Sequence, residues 1–131
     1  MEEKRNNATS QRPAGARTLD AGIIPINLPK YIGLIKTEEA YTKNKKNAIT
    51  VFKSDQVTIT LIALQQDETI RPGSEEGEAI MSLQVIDGQL AFESMGTDVK
   101  LQTGELLTLH QQLSFKATAT TDCICLLTMV K

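Results

Sequence analysis

The sequence predicts an all-β domain, a small sandwich or barrel, preceded by one or two short helices. Three features point there. From Ala48 onward, eight short runs rich in apolar and β-branched residues follow one another, divided by turn-forming segments. Several of those runs alternate apolar with polar residues, the two-residue period of a strand that is dry on one side. Ahead of them, "INLPKYIGLIKTEEAYTKN" changes to helical spacing.

Residues 1–20 are rich in Asn, Arg, Ser and charge without periodicity, which predicts disorder or an extended arm. Residues 21–47 form the helical lead-in. Asn27 can cap a helix whose first turn tolerates Pro29, and Leu28, Tyr31, Ile32 and Ile35 then share one face. Thr37 followed by Glu38 and Glu39 resembles a second helix start, with carboxylates at the positive end of the dipole. Residues 48–131 supply the strands: "AITVFK", "QVTITLIALQ", "EAIMSLQVI", "QLAFES", "DVKLQ", "ELLTL", "LSFKATA" and "CICLLTMVK". Between them lie "SD", "QQDETIRPGSE", "DG", "SMGT", "TG", "HQQ" and "TTD", all turn-forming in composition. Asp87-Gly88 is the strongest of these signals, because a type I′ hairpin needs positive φ at both central residues.

Alternation assigns the faces. Met81, Leu83 and Val85 oppose Ser82 and Gln84; Leu113, Phe115 and Ala117 oppose Ser114, Lys116 and Thr118. The last strand is apolar on both sides, with Cys123, Cys125, Leu127 and Met129 against Ile124, Leu126, Thr128 and Val130. Burial of both faces follows, under a helix, the N-terminal arm or another subunit.

Composition narrows the function classes. The chain has 131 residues, is 40% hydrophobic and 23% charged, and has a net charge of −2, the length and make-up of one globular domain. Its one basic run, Lys43 to Lys46 in "KNKK", fits an exposed helix-to-strand loop better than a phosphate track. No apolar run approaches the roughly 20 residues that span a bilayer, and the N-terminus lacks an apolar signal core, so the expected location is cytoplasmic. Cys123 and Cys125 alternate on one strand, with Cα atoms about 6.5 Å apart, so a disulfide between them would strain the strand. Buried thiols in a reducing compartment are expected instead.

The run "VIDGQLAF...VKLQTGELLTLHQQLSFKATATTDCICLLTMV" is similar to the small single-domain cupins of the RmlC-like superfamily. In these a Val-(Leu/Ile)-(Glu/Asp)-Gly hairpin precedes a Gly-Glu turn, a strand, a Pro-centred turn and a closing strand. The resemblance covers about residues 48–131 and implies a double-stranded β-helix, or jelly-roll, barrel. Cupins usually hold a metal in the barrel through two motifs. With Gly88 as the glycine of the first motif, its Glu position is Met81, and its histidine positions fall within Ser74 to Gly77. From Gly104, the second motif places His110 at the Pro position, Gln112 at the turn Gly and Phe115 at the ligand His. None of the usual ligands is present. A thioether and a phenyl ring offer a divalent cation no hard donor, so the motifs are degenerate and the interior is expected to be apolar.

Glu75, Glu76 and Glu78 have two readings: a solvated turn beside Gly73 and Gly77, or a divergent oxygen-rich cation site. Mutual repulsion and desolvation of three carboxylates inside a small barrel favour the first. His110, the sole histidine, shows no orienting partner for general base work. Arg71, in Arg71-Pro72-Gly73, could grip an anion at the barrel mouth. The sequence thus predicts a non-catalytic cupin-fold protein without metal or cofactor, binding a small ligand or serving as a homodimeric scaffold. The alternative is a metal-dependent isomerase or oxygenase with divergent oxygen ligands. The expected ligand-binding residues are Met81, Leu83, Val85, Leu113 and Phe115 in the interior, with Arg71 and His110; no catalytic residue, nucleic-acid partner or membrane contact is expected.

Overall fold

The computed structural model describes residues 4–6, 17–71, 80–110 and 114–131. Its elements are β1 (Lys4–Asn6), β2 (Arg17–Asp20), α1 (Leu28–Thr37), α2 (Glu39–Asn44), β3 (Lys46–Lys53), β4 (Val57–Leu64), β5 (Thr69–Ile70), β6 (Ile80–Asp87), β7 (Gln89–Ser94), β8 (Thr97–Gln102), β9 (Leu106–His110), β10 (Lys116–Ala119) and β11 (Cys123–Val130). Two antiparallel sheets face each other, in the orders β3-β4-β11-β6-β9 and β5-β10-β7-β8, and β1 pairs with β2 as a separate ribbon. Every predicted strand after residue 47 is present, in a jelly-roll arrangement.

The helices form for the reasons expected of their sequence. Asn27 Oδ1 accepts from the Lys30 N–H at 3.1 Å, Pro29 falls in the first turn, and Ile35 is fully buried. Thr37, expected to open the second helix, instead ends the first, its hydroxyl donating to the Leu34 carbonyl at 2.8 Å. Glu38, extended at φ −77°, is the N-cap of α2. It is also stitched to the sheet: Asn47 Nδ2 donates to Glu38 Oε1 at 2.8 Å and to the Ile35 carbonyl at 3.0 Å. At the far end of α2, Lys45 turns left-handed at φ 63° and the Gln65 side chain donates to the Tyr41 carbonyl at 2.8 Å. The basic run therefore spans the end of α2, its cap and the start of β3, with Lys43 paired to Glu39.

Two hydrophobic clusters result, one on each face of the five-stranded sheet. Between the sheets lie Met81, Leu83, Val85, Leu90, Phe92, Leu101, Phe115, Ala117, Cys123 and Cys125, among others. On the outer face, Ile49, Leu61, Ala63 and Ile124 pack with Ile35 under the helices, with Tyr31, Ile32 and Leu126 at the margin. The doubly apolar last strand is thus covered outside by the chain's own α1 and α2 over its first half. Toward its end Val130 is 41% exposed.

Asp87-Gly88 is not a hairpin. β6 pairs with β11 and β9, β7 pairs with β10 and β8, and the dipeptide carries the chain from one sheet to the other. Gly88 alone has positive φ, at 102°, and a Cβ there would stand 2.3 Å from the Asp122 carbonyl oxygen and 2.9 Å from the Cys123 Cα. Thr103 Oγ1 receives the Gly88 N–H at 3.0 Å and Thr121 Oγ1 receives that of Gln89 at 3.1 Å, fixing the corner. The turn with positive φ at both central residues is Met95-Gly96, at 48° and 80°, which closes the two-residue hairpin of β7 and β8.

Gly88→Ala should therefore cost about 2 kcal/mol or more in urea denaturation, from backbone strain and collision with Asp122. Met95→Asn should raise stability by roughly 0.5 kcal/mol, since asparagine tolerates left-handed backbone better and Met95, at 77% exposure, has little packing to lose. A loss of stability in the second variant would contradict the turn assignment.

Candidate functional site

Among the described residues the face assignments made from alternation hold. Met81, Leu83 and Val85 point between the sheets at 4%, 3% and 0% exposure, and Phe115 joins them at 6%. Phe115 stacks on Phe92, with ring centroids 5.3 Å apart and planes at 21°. That pairing adds about 0.5–1.5 kcal/mol beyond area burial. Leu113, Glu75, Glu76 and Glu78 lie outside the described residues.

The two polar candidates stand elsewhere. His110 pairs with Ile80 across β9 and β6, on the exposed outer face, whereas their neighbours Leu109 and Met81 turn inward. Arg71 is exposed just after β5, whose Ile70 packs on the inner cluster. The structure thus brings Met81, Leu83, Val85 and Phe115 together and leaves Arg71 and His110 apart from them.

One end of the inner face is less tightly closed. Registered rows cross the sheet there: Lys53, Thr58, Met129, Met81 and Leu109 in one, with Lys53 exposed at the rim, and Thr50, Thr60, Leu127, Leu83 and Leu107 in the next. Met81 and Leu83 are buried at the centre of these rows, while the threonines, Leu127, Met129, Leu107 and Leu109 are half-buried. The side chains of Thr50, Thr58 and Thr60 form no hydrogen bond within the described residues, so three hydroxyls are available beside a thioether and leucine wall. Sequence reading passed over this group. Its signal was the alternation of Thr58 and Thr60 with Val57, Ile59 and Leu61, which fixed their common face but not which face was inner.

The thiols belong to the same inner face. Cys123 and Cys125 are unbridged and buried, at 2% and 0% exposure. A hydrogen bond with Cys125 lowers the Cys123 thiol pKa, and the same bond together with burial raises that of Cys125. In the pairing of β11 with β6 a bulge falls between Ile124 and Cys125.

No protein-family model matches the sequence, and no curated protein matches it either. Solved structures do. A cupin superfamily protein from Desulfitobacterium hafniense superposes with a TM-score of 0.65 at 16% identity, covering 97% of each chain. The fold is that of a cupin. An RmlC-like cupin from Desulfovibrio desulfuricans gives a TM-score of 0.60 at 18% identity, over 66% of this chain and 83% of that one. An HTH_3 family transcriptional regulator from Vibrio cholerae gives 0.62 at 14% identity, over 79% of this chain and 59% of that one.

The metal that cupins usually carry can be tested against the residues present. Met81 and Phe115 fill the places where the resemblance puts a glutamate and a histidine, and both are packed into the apolar interior. Neither can ligate a divalent cation as a hard donor. Among the described residues no three His, Cys, Asp or Glu side chains gather in a way that could hold one. The usual cupin metal set therefore does not fit this interior. No helix of the described residues is long and apolar enough to cross a membrane.

Burial gives a direct prediction for the thiols. The native protein should resist a thiol-specific chromogenic reagent, and denaturation in guanidinium should release both cysteines together. Rapid labelling of either in the native state would place it outside the core.

Proposed function

We propose that this cupin-fold chain is a non-catalytic binding protein that takes a small ligand with an apolar body and a neutral, hydrogen-bonding head. The observation that carries the reading is the half-open end of the inner face, where Thr50, Thr58 and Thr60 stand beside Leu127, Met129 and Leu109. Apolar surface there would give most of the affinity, at about 25 cal/mol per Å² removed from water. The hydroxyls would orient the head, each contributing about 0.5–1.5 kcal/mol. Catalysis would need placed acids, bases or ligands, and the inward side chains of this wall are hydrocarbon, thioether and hydroxyl, with the exposed Lys53 at its rim opposite Thr58. The similar solved structures support a cupin without choosing among such roles, one of them being a transcriptional regulator. Carry-over of that role would make the bound ligand a signal rather than a substrate.

A neutral solvatochromic dye such as Nile red should bind saturably at one site per chain. Met129→Lys, which places a charge on the half-buried wall, should weaken that binding at least tenfold while leaving the strand circular dichroism unchanged. Absence of saturable binding, or equal binding by the variant, would count against the proposal. Elemental analysis of protein purified without chelator should find no stoichiometric transition metal; one tightly held metal per chain would favour the metal-dependent enzyme instead.

A further inference from the structure

The charge beside the threonines is placed by a break in the alternation of β3. Ile49 pairs with Leu61 on the outer face, and Thr50 pairs with Thr60 on the inner one. Strict alternation from Thr50 would send Val51 outward, Phe52 inward and Lys53 outward. The ladder instead skips a residue: the next registered pair is Phe52 with Ile59, and Lys53 then falls opposite Thr58. Val51 is the extra residue, the mark of a β-bulge. Past it each side chain of β3 changes face, so Phe52 turns to the outer side and Lys53 to the inner.

The bulge is held from two directions. Arg17 on β2 donates from Nε to the Thr50 carbonyl at 3.1 Å and from Nη2 to the same oxygen, so its fork satisfies the edge carbonyl beside the irregularity. Val51 is buried at 3% exposure in the cluster under the helices. Bulges stand beside binding and catalytic sites, where they re-aim a side chain. Here the side chain re-aimed is Lys53, exposed at the rim, and in the two rows that carry the threonines it is the one charged residue. A lysine serving hydration alone needs no bulge, because regular alternation would have sent it outward.

Polarity therefore rises in steps along one row. Met81, Met129, Thr58 and Lys53 follow one another on β6, β11, β4 and β3, on strands spaced about 4.8 Å apart. They offer thioether, thioether, hydroxyl and ammonium in that order. We propose that the ligand is an acyl amide ending in a carboxylate, lying across these strands. Its chain covers Met81, Met129 and Leu127, its amide meets Thr58 and Thr60, and its carboxylate reaches Lys53. An amide suits the threonines because a hydroxyl both donates and accepts, as an amide does. A single ammonium on a flexible stem suits one carboxylate. This inference rests on the ligand reading above, whose neutral head becomes the amide, and adds the charged terminus.

The test uses the full chain, with N-octanoylglycine and its primary amide as probes that displace bound Nile red. The two probes differ only in the charge of the terminus. The acid should bind about three- to fivefold more tightly than the amide, as one exposed ion pair allows, and added salt should erode that preference. Lys53→Gln should abolish the preference, Lys53→Arg should keep it and Lys53→Glu should invert it, with strand circular dichroism reporting the fold of each. Failure of Nile red to bind the wild type would overturn the ligand reading and this inference with it. Nile red binding with equal displacement by the two probes, or an acid preference that persists in Lys53→Gln, would overturn this inference alone.

Discussion

The architecture depends on β11. It is hydrogen-bonded along its length to β4 on one side and β6 on the other, from Cys123 opposite Leu64 to Val130 opposite Val57 and Ile80. Its inner side chains, Cys123, Cys125, Leu127 and Met129, belong to the cluster between the sheets, and Ile124 and Leu126 to the cluster under the helices. One strand therefore joins two apolar cores that would otherwise share only the backbone of a sheet. Both of its ladders join segments far apart in sequence, so their closure entropy must be met by burial on both faces at once. This explains why the last strand lacks the polar alternation of β10.

Much of this was legible in the sequence because alternation is local. Leu83 and Ser82 declare their opposite faces without reference to any other strand, and so do Phe115 and Lys116. What alternation cannot state is which strand lies beside which. Asp87-Gly88 has the composition of a primed hairpin, but a hairpin also requires its flanking strands to pair, and β6 and β7 belong to different sheets. Met95-Gly96 has weaker hairpin chemistry yet performs that turn, because β7 and β8 pair in register up to Ser94 and Thr97. β5 was hidden for a related reason: Thr69 and Ile70 sit in a polar loop and become a strand only by pairing with Thr118 and Ala117.

The candidate site was legible in a similarly divided way. The inward direction of Met81 and Phe115 followed from period and from family resemblance, and their burial agrees with it. The placing of His110 near the interior came from motif position alone, and the two-residue period against Leu109 turns it outward. The threonines were invisible because half-burial is a tertiary property. Thr58 and Thr60 would be fully covered in the middle of a closed sandwich, and the edge position of β3 beside them leaves them partly open.

The two faces of the large sheet also differ in how they are closed, and that difference follows from chain order. The lead-in helices precede β3 directly, joined to it through Lys45 and the Asn47 stitches, so they can lie only over β3, β4 and the adjoining part of β11. A helix pair 17 residues long from Leu28 to Asn44, at 1.5 Å per residue and folded at Glu38, is too short to cover all five strands at about 4.8 Å spacing as well as their length. The strands left outside its reach are β6 and β9, and among the described residues their exposed side is apolar or neutral rather than charged. A sheet end shaped by solvent alone would be expected to carry lysine and glutamate, as the outward face of β7 and β8 does with Glu93, Asp98 and Lys100. The contrast between these two exposed faces of one small domain marks the β6–β9 end as the surface whose composition solvent does not account for.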